Sequence, residues 1–320
     1  MLAVRWAFGL AAAALLLCIP LTGERFYIYL TIQVLILALF AMGFNLLFGY
    51  TGLLSFGHAG FYAAGAYAAG LLLMRTPLSL LPSLLGGALF AGALGAAIGF
   101  FCVRRTRIYF AMLTLAFGMM VYALAFDWKS LTGGDDGLIG IPRGVLWLPG
   151  LGTVKMNDLR AYYYLVLAIT AAGVGVIHRV VHSPFGLVLQ GIRENENRAA
   201  FAGVPVRRYR LAAFALSSFI SGLAGAMVAP LENTVAPTAA HWTKSAAPVL
   251  ATLLGGIHPF AGPIVGAVLF YLIQEFIERL PEYWLLGFGL VLLALVLGFR
   301  GGVVGYYEAR IRPTLWRRFP

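Results

Sequence analysis

Two polar residues stand inside the longest uncharged stretch of the sequence, where a group that can bind or ionise is unexpected. The stretch from Phe26 to Met74 holds 49 residues without one Asp, Glu, Lys or Arg, and it contains Asn45 and His58. An ionisable group at membrane depth is a candidate for ion or substrate contact. A neutral histidine can equally hydrogen-bond a neighbouring helix, so the sequence leaves both roles open for His58.

Around His58 the sequence is rich in glycine. Gly60, Gly65 and Gly70 recur every five residues, interleaved with alanine. Small residues let helix backbones approach closely in lipid, and glycine also permits a broken helix where protein or a water-filled cavity covers the backbone. The pattern therefore fits either a pathway or gate segment, or close helix packing.

A second polar segment lies in the loop 178–210. Residues Leu187 to Phe201 have helix-forming composition, and Glu194 and Arg198 are four apart, so they can pair on one helical face. Gly203 and Pro205 are expected to stop this helix. A short polar helix between two apolar spans suits docking of a partner, although an ordinary solvated loop helix has the same pattern.

Other chemistry finds no support in the sequence. The two cysteines, Cys18 and Cys102, form no CxxC motif or Cys/His cluster, so we expect no metal site and no redox centre. Neither an HExxH motif nor a GxxxxGK[ST] phosphate loop is present. We therefore predict no catalytic residue and no cofactor bound by this chain, which is not an enzyme on this interpretation.

The composition indicates that membrane-spanning helices position these polar residues. The 320 residues are 61% hydrophobic and 11% charged, against roughly 25% charged in soluble globular proteins. A membrane helix needs about 20 mostly apolar residues. We predict an all-α, polytopic bundle of about ten spans forming a single domain over residues 1–320, with 238–255 the least certain span. The ten spans are Trp6–Leu21 (a retained span rather than a cleaved signal peptide), 26–48, 52–74, Leu78–Val103, Ile108–Phe126, Ala161–Ile177, Leu211–Leu231, 238–255, 263–274 and Tyr283–Phe299.

Charge sets the expected orientation. Placing both termini in the cytoplasm puts 15 of the 23 basic residues on the inside. We choose this orientation because Lys and Arg concentrate in cytoplasmic loops. This places the long loop 127–160 in the periplasm and the loop 178–210 in the cytoplasm. The net charge of +11 thus reflects membrane topology, and we expect no nucleic-acid partner. Residues Thr234 to Gln274 carry one charged side chain, Lys244.

Five segments together resemble one transporter family. They are GLLSFGHAGFYAAGAYAAGLL at 52–72, VRRTRIYFAMLTLAFGMM at 103–120, TGGDDGLIGIP at 132–142, GIRENENRAAFAGVPVRRYRLAAFALSSFISGLAGAM at 191–227 and LLGGIHPFAGPIVGA at 253–267. In this order they are similar to branched-chain amino acid ABC transporter permeases of the LivM type. The sequence departs from the usual family pattern at Ile257–Phe260 and at the run GFRGGVVGYY, residues 298–307.

The resemblance implies a subunit of a binding-protein-dependent importer in the bacterial inner membrane. Its partners would be a second, LivH-like permease, two ATPase subunits that bind ATP, and a periplasmic binding protein that delivers a small amino acid. Residues 193–203 would form the coupling helix, and eight positions match the family there: Arg193, Glu194, Asn195, Glu196, Arg198, Ala199, Ala200 and Gly203. Candidates for the translocation pathway are Asn45, Gly52, Ser55, Phe56, Gly57, His58 and Gly60.

Two alternatives stay open at the level of sequence. A related permease for urea or short amides would look the same, since no residue separates these substrates. An ion-coupled secondary transporter should carry ionisable residues at mid-membrane, and His58 alone meets that requirement well. The expected mechanism needs no strongly charged pocket, because tight recognition would belong to the binding protein.

Overall fold

The computed structural model describes residues 16–105, 107–148, 152–277, 284–298 and 301–307. Most of the predicted first span, Trp6–Leu21, and both ends of the last one, Tyr283–Phe299, lie outside the described residues. Helices dominate, as expected for apolar runs whose backbone groups must be hydrogen-bonded within the segment when they are in lipid.

Nine helices of fourteen residues or more are seen in the described part of the chain, and the loop helix α7 adds a tenth of eleven residues. In chain order the helices are α1 Arg25–Thr51, α2 His58–Arg75, α3 Leu80–Cys102, α4 Arg107–Asp127, α5 Lys129–Thr132, α6 Leu159–Val181, α7 Pro184–Glu194, α8 Glu196–Phe201, α9 Val206–Glu232, α10 Trp242–Gly255, α11 Gly262–Ile277, α12 Trp284–Gly298 and α13 Gly302–Tyr306.

Five of these helices are long and apolar enough to cross a membrane, namely α1, α3, α4, α6 and α9. The apolar helix α11 is shorter, with 16 residues, and α10 has 14. Most of the predicted spans therefore coincide with helices of the structure, but the predicted third one, 52–74, differs at its start. It was expected to begin at Gly52, whereas α2 begins at His58. The total of about ten spans stays a prediction.

The centre of the bundle is α9, which packs against α1, α2 and α3, while α10 and α11 pack on each other and on α1. Because successive long helices run in opposite directions, the bundle has two ends. One carries α7, α8 and the α10–α11 turn, and we call it the α7–α8 end. At the other end the loop after α4 meets the loop after α9, and we call it the strand end.

Two short antiparallel ribbons are the exception to the predicted all-α fold. Strand β1 (Leu138–Ile139) pairs with β4 (Thr234–Val235). Strand β2 (Val145–Leu148) pairs with β3 (Gly152–Lys155). The glycines of the loop 127–160 allow these turns, since Gly133, Gly137 and Gly144 all have positive φ. The pairing of β1 with β4 joins the two loops that define the strand end.

Candidate functional site

The predicted coupling segment is two helices rather than one. Helix α7 ends at Glu194 and α8 begins at Glu196, because Asn195 between them is extended, with φ −156°. The Asn195 side chain accepts a hydrogen bond from the Arg198 backbone N–H at 2.9 Å and so caps α8. The prediction of one helix over Leu187–Phe201 is therefore wrong at Asn195. The stop at Gly203 is confirmed, where φ is +82°.

The break changes the ion pairing of the loop. Glu194 and Arg198 no longer share one helix, and the ion pair of this segment joins Glu196 to Arg210 instead. Arg210 donates from Nη1 to Oε1 of Glu196 at 2.7 Å and from Nη2 to Oε2 at 2.9 Å. The Arg210 side chain is 6% exposed, so the pair ties α8 firmly to the first turn of α9.

Most of the predicted coupling residues lie on the surface of this helix pair. Glu196 and Ala199 are half-buried. Five of the others are exposed: Glu194, Asn195, Arg198, Ala200 and Gly203. Among them stands Phe201, which is 93% exposed. Its side chain is the apolar group that a docking partner would cover, and the sequence analysis did not select it.

Arg193 faces the bundle rather than the surface. Its Nη1 donates to the Gly49 carbonyl near the end of α1 and to Nδ1 of His258 at 3.3 Å. Its Cγ would lie 3.0 Å from a Cβ on Gly52, whose φ of +74° ends α1 in a left-handed turn. One side chain thus joins α7 to α1 and to the α10–α11 turn.

A second contact reinforces this junction. Asn45 on α1 donates from Nδ2 to the Ile257 carbonyl at 3.2 Å. Its Oδ1 is buried and has no hydrogen-bond partner among the residues that the structure describes. The structure therefore places the predicted pathway residues Asn45 and Gly52 beside Arg193 of the coupling segment, at the α7–α8 end.

His58 opens α2 and is completely buried. Its Nδ1 lies 2.9 Å from Oγ of Ser55, and its Nε2 lies 2.8 Å from Oγ of Ser217 on α9. The Ser217 hydroxyl donates to the Gly43 carbonyl of α1 at 2.6 Å, so its oxygen accepts from Nε2–H. The ring is then in its neutral form, in which Nδ1 carries no proton and accepts a hydrogen bond from Ser55. One chain of hydrogen bonds thus joins α2, α9 and α1.

The residues 52–57 before His58 are non-helical at depth, and their backbone groups find partners within the protein. The Phe56 N–H donates to Oγ1 of Thr114 on α4 at 3.3 Å, and the Gly57 N–H donates to Oγ of Ser55 at 3.3 Å. A Cβ on Gly57 would overlap the Thr114 carbonyl. The structure shows both a broken helix and close packing here, while a gating role stays a prediction.

A cavity of about 370 Å³ lies at the strand end, between α1, α2, α9, α10 and α11. Two charged side chains of opposite sign line it, Glu232 of α9 and Lys244 of α10. This pair of opposite charges was not predicted from the sequence, where only a path without a strongly charged pocket was expected. The sequence pointed to Lys244, because it is the one charged residue of Thr234–Gln274. No local pattern, however, indicated that Lys244 would lie near Glu232.

The arrangement of apolar helices defines a multi-pass membrane protein, and comparison with known proteins is consistent with this. Residues 26–296 match the family described as "Branched-chain amino acid transport system / permease component". The LivM permease protein of the high-affinity branched-chain amino acid transport system of Escherichia coli is 27% identical over 308 residues, which cover 91% of this chain and 72% of that protein. Its counterpart from Salmonella typhimurium is 28% identical over 308 residues, which again cover 91% of this chain and 72% of that protein.

Similarity to sugar permeases is more limited. The xylose transport system permease protein XylH of Escherichia coli is 27% identical over 151 residues, 45% of this chain and 37% of that protein. No solved structure matches the chain. Because the family match spans residues 26–296, the chain belongs to the family of permease components of branched-chain amino acid transport systems. The resemblance deduced from the five sequence segments is thereby confirmed.

Proposed function

We propose that this chain is one of two permease subunits of an ATP-driven importer that moves branched-chain amino acids across the bacterial inner membrane. Its partners are a second, LivH-like permease, two ATPase subunits that bind the ATP, and a periplasmic binding protein. The observation that carries the proposal is the family match over residues 26–296, joined to an exposed helix pair between two long helices.

The α7–α8 pair supports a coupling role in this proposal. Its exposed residues Glu194, Arg198 and Phe201 form the surface that an ATPase subunit contacts. Its attachments run inward, through Glu196 and Arg210 to α9 and through Arg193 to α1 and the α10–α11 turn. A displacement of α7–α8 is thus passed to four of the five helices that line the cavity at the other end. Such rigid-body transfer is a common form of two-state switching.

The topology follows from charge. The α7–α8 end carries the basic loop 178–210, so it faces the cytoplasm, and the strand end faces the periplasm, where the binding protein docks. Ten spans with both termini in the cytoplasm satisfy this arrangement. The helices α10 and α11 are short for full spans, and their turn nevertheless reaches Arg193 and Asn45, which supports both of them running from end to end.

The test is uptake of labelled leucine into proteoliposomes that contain the complete importer of two permeases, two ATPase subunits and the binding protein. We compare wild type with the triple variant Glu194→Ala, Arg198→Ala, Phe201→Ala, which removes the proposed ATPase contact. The matched control is Arg179→Ala, an exposed arginine of α6 near the same end of the bundle. We expect ATP-dependent uptake in wild type and in the control, and loss of uptake in the triple variant although the two permeases still assemble.

Three results would contradict the proposal. Uptake driven by an ion gradient without ATP would mean a secondary transporter. Absence of leucine uptake, with ATP hydrolysis stimulated by a binding protein loaded with another solute, would overturn the substrate class. Normal uptake by the triple variant would remove the coupling role from the surface of α7–α8 and leave the importer itself in place.

A further inference from the structure

The cavity at the strand end has the size and lining of a small-molecule site. Its volume of about 370 Å³ falls in the range of roughly 300–1,000 Å³ typical of ligand pockets, which are mostly apolar with a few polar groups. A smaller cavity of about 150 Å³ adjoins it and shares Tyr62, Val228, Glu232 and Lys244. The smaller cavity is also lined by residues of the loop after α9.

Glu232 and Lys244 face this space without closing on each other. They interact electrostatically, yet no ion pair joins them, and within the described residues neither makes one with any other side chain. Both side chains are solvent-accessible. Opposite charges that line a cavity of a membrane protein and form no ion pair with each other are available to a ligand that carries both signs.

Both charges stand at helix ends that disfavour them. Glu232 is the last residue of α9, where the helix dipole places partial negative charge. Lys244 lies in the first turn of α10, where the dipole places partial positive charge. Neither position favours the stability of the chain. A ligand with an ammonium group beside Glu232 and a carboxylate beside Lys244 would reverse both unfavourable placements, since each group would meet a helix end and a side chain of opposite sign.

The remaining lining suits an aliphatic group. Ile36, Leu37 and Phe40 of α1 contribute one wall, and Leu250 and Phe270 contribute the opposite one. Tyr62 lies under Lys244, with Nζ 5.8 Å from the ring centroid, and this contact holds the ammonium at the cavity wall. An apolar wall beside paired opposite charges matches the shape of an amino acid with a hydrocarbon side chain.

We propose that this cavity binds the transported amino acid as a zwitterion, with Glu232 contacting its ammonium group, Lys244 its carboxylate, and the apolar walls its aliphatic side chain. The proposal rests on the importer function proposed above and adds a site in the permease itself. Recognition is then shared, because the binding protein delivers the amino acid and this cavity receives it.

The test uses the complete reconstituted importer and labelled leucine. The variants are Glu232→Gln and Lys244→Gln, which keep side-chain size and remove the charge. The matched controls are Glu24→Gln and Lys129→Gln, which remove the same charges from exposed positions at the same end of the bundle but outside the cavity. We expect each cavity variant to lower the maximal uptake rate by about tenfold or more, because a charge-assisted hydrogen bond is lost, and the controls to match wild type.

Two further measurements separate a substrate site from other roles. Co-purification with the second permease reports whether the variants fold. Binding of the leucine-loaded binding protein to the complex reports docking at this end, which should be the same in wild type and in both cavity variants. In addition, a leucine analogue with a photoreactive diazirine on its side chain should label peptides that contain Leu37, Phe40 or Leu250 in wild type.

The outcomes are distinguishable. Wild-type uptake by both cavity variants would overturn the site and leave the importer function intact. Loss of uptake accompanied by loss of binding-protein docking would also overturn it, since the two charges would then belong to the docking surface. Absence of leucine uptake in wild type would overturn the proposed import of branched-chain amino acids and the site with it.

Discussion

At the residue scale, His58 shows how tertiary contacts decide between two roles that the sequence leaves open. Both ring nitrogens are hydrogen-bonded, to Ser55 and to Ser217, and the Ser217 hydroxyl donates its own hydrogen bond to the Gly43 carbonyl. In this conformation the imidazole has no free position for a ligand. The sequence could not reveal this, because Ser217 lies 159 residues away and belongs to another helix. A pathway contact for His58 in another conformation stays a prediction.

The hydrogen-bond chain predicts an asymmetric effect of two neighbouring serines. Ser217→Ala leaves the Nε2–H of a buried ring without an acceptor, which should lower the free energy of unfolding by about 1–3 kcal/mol. Ser218→Ala is the control, since the Ser218 hydroxyl is also buried but donates only to the Phe214 carbonyl of its own helix. The thermal midpoint of the detergent-purified complex is the measurement. Equal midpoints for the two variants would contradict the assigned network.

At the element scale, local pattern predicts the apolar helices and fails where distant residues meet. The apolar composition of the sequence alone predicts the helices α1, α3, α4, α6 and α9. The break at Asn195 was missed because its side-chain cap competes with a helix that composition alone would continue. The pairing of β1 with β4 spans about a hundred residues, and the approach of Lys244 to Glu232 depends on where α9 ends and α10 begins. The local periodicity of the sequence predicts neither the strand pairing nor the approach of the two charged residues.

Close contact of α2 with α9 gives a prediction about glycine at this scale. A Cβ on Gly65 would overlap the Gly222 carbonyl, so Gly65→Ala must push the two helices apart. Overpacking of this kind should lower stability by about 1–3 kcal/mol. Gly175→Ala is the control, because Gly175 of α6 has nothing within 4 Å and alanine favours a helix. The thermal midpoint should fall for Gly65→Ala and stay level or rise for Gly175→Ala. A fall for Gly175→Ala alone would contradict the packing argument.

At the scale of the whole molecule, the two ends of the bundle are mechanically connected. The α7–α8 pair is held to α9 by the Glu196–Arg210 ion pair and to α1 by Arg193. The same α1 and α9 form walls of the cavity at the strand end. An input at one end can therefore be passed through these helices to the cavity at the other end. Which end faces the cytoplasm decides where such an input would enter.

Cysteine accessibility tests that orientation directly. With Cys18 and Cys102 replaced by serine, we introduce Ser130→Cys at the strand end or Ala200→Cys on α8, both at exposed positions. A membrane-impermeant maleimide added to intact spheroplasts should label the first variant, and should label the second only after the membrane is opened. The reason is the concentration of arginine in the loop 178–210, which favours the cytoplasmic side for that loop. Labelling of Ala200→Cys in intact spheroplasts would invert the molecule, place the cavity in the cytoplasm, and remove the basis for delivery by a periplasmic protein.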